Sequence, residues 1–319
     1  MSLLFDMDRY FRTIRLFIKR HRLALLVASV LGVMPFFWFK PGEIDMGGDS
    51  GRLYFYDPIN LIKNLVYLVL PFGVGKIESR IFYLPLNIIL AILKQIIHSS
   101  YVINSLYNGM KITVGFLAVY GIVKELLGNK LKDKSNQIAV SASSLLAGLF
   151  YIFNPAMTEN YVRAIATHDQ VFLNPLMFYL ILKYMATSQF RFLSIGVFVS
   201  LLFSHNFSWP AAPPFFAFYP LTIIFLIVYT VFNLRRKISW KGLMMGILLF
   251  FGLHAFHLLS EFVDLFSSGS YTNIRVFDKA DVIEQIGYFS AILPIPKLSI
   301  RWFAYSVNSL LSWASLIIP

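Results

Sequence analysis

The sequence contains no cysteine, which excludes a disulfide framework, thiol catalysis and thiolate metal sites. Charge is scarce as well: Asp, Glu, Lys and Arg supply 14% of the 319 residues, and acids number 16 against 28 bases. What fills the chain instead is apolar. Hydrophobic residues reach 57% and the mean hydropathy is +0.67, far outside the range of a soluble domain of this size. An all-α polytopic membrane protein in the lipid bilayer is the expectation. No cleavable signal peptide is expected, because the first apolar run is followed by charged residues and has no small-residue cleavage site, and it reads as a retained first helix. Nor is there a visible inverted repeat of the kind secondary transporters use. The net charge of +12 would suit a nucleic-acid partner, but the bases are spread over short loops between apolar runs, where they act as topology signals. No nucleic-acid partner is expected.

Residues 8 to 22 place Arg12, Arg15, Lys19 and Arg22 beside Phe11, Ile14, Leu16 and Ile18, the pattern of a basic amphipathic helix on a cytoplasmic membrane surface. The positive-inside rule then puts the N-terminus in the cytoplasm of a plasma-membrane protein and sends a first span, 22–39, outward. Residues 40–111 are expected to form an outer loop with two interfacial helices, about 59–72 and 80–97. Lys63, Lys76, Arg80, Lys94 and His98 interrupt its apolar runs too often for spans, since an unpaired lysine at the bilayer centre costs at least about 2.5 kcal/mol. Further spans are expected within 112–260: about 112–127, 138–154, 171–186, 192–204, 215–233 and 242–260. A long outer loop, 261–301, follows, and 302–319 reads as the start of another span in a truncated chain. This topology leaves only Asp6, Asp8, Glu125 and Asp133 as acids on the inner side, so polar chemistry collects outside.

The loop 42–58 carries Glu43, Asp45, Asp49 and Asp57, punctuated by Gly42, Gly47, Gly48 and Gly51, which let the backbone turn tightly and gather the carboxylates. It reads either as an active-site loop or as a polar loop solvated by its own charges. Glu43 and Asp45 form an E-x-D pair that could hold Mg²⁺ or Mn²⁺ together with Asp49. Asp57, followed by Pro58, reads as a helix N-cap with proline at the first helical position. A second outer stretch brings Glu159, Arg163, His168 and Asp169 near the outer surface. Arg163 is suited to grip phosphate oxygens bidentately or, one helical turn from Glu159, to pair with it. His168 is a candidate contact to a phosphate or to the base, and His205 is a weaker candidate. His254 and His257, one turn apart, have no third ligand assigned and read as helix packing rather than a metal site. Lys183 near an inner end reads as a snorkelling lysine.

Two of these stretches carry a family resemblance: GGDSGRLYFYDPINLIKNLVYLVLP and YIFNPAMTENYVRAIATHDQVFLNPLMFY. The chain resembles the integral-membrane GT-C glycosyltransferases, and within them the arabinofuranosyltransferase-type family. Its outer loop with two juxtamembrane helices after the first span is similar to that family's opening module. Thr167 stands where the family often has glycine before its histidine. The resemblance implies a GT-C-like helical bundle that transfers a sugar from a polyprenyl-phosphate-type donor to a hydroxyl of a glycan or glycoconjugate acceptor at the outer face. Asp49 matches the family's loop aspartate and is the expected general base of a single inverting displacement, with Asp45 as a second catalytic carboxylate. Arg52, Glu159, Arg163 and His168 are the expected donor-phosphate and lipid contacts. The competing readings are a transporter or flippase for a lipid-linked sugar and a non-catalytic membrane scaffold subunit.

Overall fold

The computed structural model describes residues 21–38, 41–42, 54–65, 79–128, 134–154, 169–208, 222–234 and 239–267. Among these residues the only regular elements are helices, with no strand. In chain order they are α1, His21–Phe37; α2, Pro58–Leu65; α3, Leu84–Ile97, entered through a 3-10 turn at Ser79–Tyr83; and α4, Ser100–Gly128. They continue as α5, Lys134–Phe153; α6, Gln170–Thr187; α7, Arg191–Leu202, followed by a 3-10 turn at Ser204–Asn206; α8, Thr222–Phe232, running into a π turn at Thr230–Leu234; and α9, Trp240–Ser267. The compact unit Met1–Glu261 contains everything discussed below; of the second unit, Phe262–Pro319, only the helical stretch 262–267 is described.

Local chemistry accounts for several boundaries. Asp57 accepts the amide hydrogen of Asn60 at 3.0 Å, so α2 starts as a carboxylate N-cap with Pro58 behind it, as its sequence suggests. Between α3 and α4, and between α6 and α7, the chain reverses through residues with left-handed φ, His98 at 59° and Ser188 at 55°. At the second of these, the Ser188 amide closes back on the Tyr184 carbonyl at 2.7 Å and ends α6. Pro175 lies inside α6 and has no amide hydrogen for the carbonyl of Val171, four residues earlier. The Tyr151 hydroxyl of α5 fills that vacancy, donating to the Val171 oxygen at 2.5 Å.

Helix α4 packs on α3, α5, α6 and the end of α1. Small residues recur every fourth position on both partners of its crossing with α1: Ala24, Ala28 and Gly32 on one, Ser105, Gly109 and Thr113 on the other. The backbones come so close that a methyl group on Gly109 would lie 2.2 Å from the Gly32 carbonyl oxygen. Thr113 donates to the Ala28 carbonyl at 3.1 Å and Tyr101 to the Phe36 carbonyl at 2.6 Å. Side-chain hydroxyls and close backbones supply the adhesion that small-residue stripes give to helices in lipid.

Polarity is inverted relative to a water-soluble fold. Ile138, Leu146 and Phe150 on α5 are 76%, 66% and 70% exposed, and Leu248 and Phe251 on α9 are comparably bare. Meanwhile Lys111, Asp169, His205, His254 and His257 are buried almost completely. Among the described residues, two helices are long and apolar enough to cross a membrane, over Asn136–Phe153 and Trp240–Phe262. Only 22% of either stretch is buried inside the protein, so neither is the covered core helix of a globular fold.

The helices fall near the expected segments, with three differences. Helix α9 runs on to Ser267, past the expected end at 260 and into the stretch expected as an outer loop. Helix α4 begins at Ser100, ahead of the expected start near 112, because Asn104, Tyr107, Asn108 and Lys111 are packed against neighbours instead of marking an interface. Lys183 does not stand alone: it meets Glu125 at 2.5 Å, an ion pair between α6 and α4.

Candidate functional site

Glu43, Asp45, Asp49, Arg52, Glu159, Arg163 and His168 all lie outside the described residues. Among the described residues the polar centre is Asp169, at the N-cap of α6 and fully buried. Three side chains from two other elements converge on this carboxylate. Tyr107 of α4 donates its hydroxyl to Oδ2 at 2.6 Å. One turn further along α4, Lys111 brings Nζ to 3.0 Å from Oδ1. From the turn after α7, His205 Nε2 reaches Oδ2 at 2.9 Å. The ammonium stands at ion-pair distance but off the hydrogen-bonding direction of Oδ1, so its contact is one of charge.

The electrostatics follow from burial. Desolvation pushes the Asp169 carboxyl up, but the Lys111 charge, then the His205 and Tyr107 contacts, outweigh it and hold the group below the usual carboxylate range. His205 Nε2 faces Asp169 Oδ2, and its Nδ1 is buried with no hydrogen-bond partner among the described residues. The Tyr83 ring stacks on the imidazole at 5.2 Å, and the Ser204 hydroxyl ties the same turn to the Phe82 carbonyl at 2.6 Å. Tyr54, Phe55, Leu86, Leu90, Ile103 and Phe172 close the apolar wall around Tyr107. In this dry setting removal of one charge strands the other, at about 3–5 kcal/mol.

Sequence reasoning named Asp169 only beside His168, ranked His205 low and left Lys111 at the end of the expected outer loop, 40–111. It also placed the bases in short loops between apolar runs, which the buried Lys111, within α4, corrects. A signal was present. Asn104, Tyr107, Asn108 and Lys111 recur at spacings of three and four along one side of an otherwise apolar helix, and all four are buried. Of the metal readings, Glu43 and Asp45 lie outside the described residues, and among the described residues no three His, Cys, Asp or Glu side chains converge as metal ligands. No protein-family model, curated protein or solved structure matches this chain.

Proposed function

We propose that this chain is a multi-pass membrane glycosyltransferase of GT-C type, with its N-terminus in the cytoplasm and its reaction at the outer face. Its donor is a polyprenyl-phosphate-linked sugar and its acceptor a hydroxyl of a glycan or glycoconjugate. One observation carries the reading: both stretches singled out by the resemblance adjoin the packing around one buried charge cluster. Residues 155–168 lead in sequence directly to Asp169. Residues 43–53 lead in sequence to Tyr54, whose ring lies 4.6 Å from that of Phe55, which lies 5.2 Å from the ring of Tyr107, a donor to Asp169. Asp49 stands five positions before Tyr54, at most about 18 Å of extended chain. Asp49 and His168 are therefore tethered to this packing by short lengths of chain. The inverted polarity of the helix surfaces supports the membrane setting.

In this reading Asp49 takes the proton of the acceptor hydroxyl, the oxygen attacks the anomeric carbon, and the bond from that carbon to the phosphate oxygen breaks with inversion. Arg52, Arg163 and His168 hold the phosphate as its charge builds. The Lys111–Asp169–His205–Tyr107 cluster anchors the described residues that follow these stretches in the chain. The test is transfer from a labelled polyprenyl-phosphate sugar by purified protein. Asp49→Asn is expected to lower the rate by ~10²–10⁴-fold with unchanged thermal stability. A rate within about threefold of wild type overturns the assignment of the base.

A second reading, transport of a lipid-linked sugar across the bilayer, is favoured by the burial of Lys111 and Asp169 inside the helical body. A transporter moves the labelled lipid between the leaflets of a vesicle and forms no glycosidic product, which separates the two in one experiment.

A further inference from the structure

Away from the Asp169 cluster, α7 and α9 share an unbroken run of side-chain hydrogen bonds. The Ser200 hydroxyl lies 2.9 Å from His254 Nε2. His254 Nδ1 lies 2.8 Å from His257 Nε2, and His257 Nδ1 lies 2.9 Å from Glu261 Oε1. Ser200, His254 and His257 are fully buried, and Glu261 is 9% exposed. Aromatic rings seal the run: Phe250 stacks on His254 at 4.2 Å, Phe207 meets it edge-on at 5.6 Å, and Phe82 meets His257 at 6.4 Å. Among the described residues, Phe207 and Phe82 meet the run from other elements and carry no charge, and the ionisable members of the run itself are His254, His257 and Glu261.

The two imidazoles are too close, nitrogen to nitrogen, to be anything but hydrogen-bonded, and a neutral imidazole has one donor and one acceptor. Polarity along the run is therefore all one way or all the other. In the first arrangement Ser200 donates to His254, His254 to His257, and His257 to an ionised Glu261. In the second, a protonated Glu261 donates to His257, His257 to His254, and His254 to the Ser200 oxygen. The Ser200 proton is then free to turn to the Val197 carbonyl, which lies 2.7 Å away. Both arrangements satisfy each link, and they differ by one proton.

We propose that Ser200, His254, His257 and Glu261 form a proton-binding relay, which takes up and releases a single proton as a unit. The balance is explicit. A proton arriving at the Ser200 oxygen displaces the hydroxyl proton onto His254 Nε2. The Nδ1 proton of His254 passes to His257 Nε2, and the Nδ1 proton of His257 passes to the carboxylate. No heavy atom has to move. The relay stands independently of the sugar-transfer reading.

The test uses the full chain in detergent or nanodiscs with ¹⁵N-labelled histidine, followed by nuclear magnetic resonance and by infrared spectroscopy of carboxyl groups across pH. On acidification, two imidazoles are expected to exchange which nitrogen carries hydrogen at one shared midpoint. A protonated-carboxyl band should grow in step. Glu261→Gln should abolish both the band and the tautomer exchange; if that variant does not fold, the coincidence of the two signals in the wild type decides alone. Fixed tautomers throughout the pH range in which the protein stays folded would overturn the relay. So would two imidazoles that become cations at separate midpoints.

Discussion

The two buried polar clusters solve the same problem in opposite ways. Around Asp169, a full negative charge is met by a full positive one on Lys111, with His205 and Tyr107 completing the shell, and the four side chains come from α4, the head of α6 and the turn after α7. Around His254, links pass between groups that can each exchange donor for acceptor, and three of the four members sit on one helix. Opposite charges pin geometry, because neither partner tolerates the loss of the other. A chain of imidazoles pins geometry too, but leaves the proton count free. The difference assigns anchoring to the first cluster and proton exchange to the second.

The sharpest way to break this contrast is to strand a charge. Asp169→Ala leaves Lys111 buried and unpaired, and should destabilise the purified protein by about 3–5 kcal/mol in thermal or chemical unfolding. Adding Lys111→Met should recover much of that loss, since the charge that was stranded is gone. If the double variant is no better than Asp169→Ala alone, charge pairing does not anchor this centre. An intermediate effect is expected in the other cluster. His254→Phe keeps the ring and its stacking on Phe250 but leaves His257 Nε2 without its partner, a loss of about 1–3 kcal/mol for a neutral group. The smallest effect is expected at Glu125→Gln. The Glu125–Lys183 pair is 20% and 25% exposed and comparable in geometry to the Asp169 centre, yet its removal should change stability by no more than about 1 kcal/mol. Equal losses at Glu125 and Asp169 would show that burial is not what separates them.

Acid provides a further handle on the first cluster. The folded Asp169 carboxyl lies below its ordinary range, so its contribution is present above the unfolded value and fades as pH falls through the folded one. The acid limb of the stability profile should therefore flatten in the Asp169→Ala, Lys111→Met double variant, measured by thermal unfolding from neutral pH downward.

Much of the helical order was legible in the chain. Apolar runs marked α1, α5, α6, α7 and α9, and Asp57-Pro58 marked the start of α2. The start of α4 was not, because hydropathy treats Asn104, Asn108 and Lys111 as reasons to leave the membrane, whereas these side chains are turned into the bundle. The crossing of α1 and α4 had a readable signature in Ala24, Ala28 and Gly32, and it needed a partner stripe before it meant contact. The Asp169 centre was the least accessible. Its members lie 36 to 62 residues apart in the chain along the hydrogen-bonded pairs, and nothing local says that a lysine on one helix will meet an aspartate heading another. The aspartate itself was visible; its partners were a tertiary fact.

Tyr151 and Val171 carry a mechanical consequence. Because Pro175 deprives the Val171 carbonyl of its helical donor, the phenol of α5 serves as a missing rung in the ladder of α6. The two helices are thereby keyed: α5 cannot rotate about its axis or slide along its neighbour without opening that rung. The key sits two residues from Asp169, so the bearing of α5 and the position of the buried carboxylate are set by the same joint.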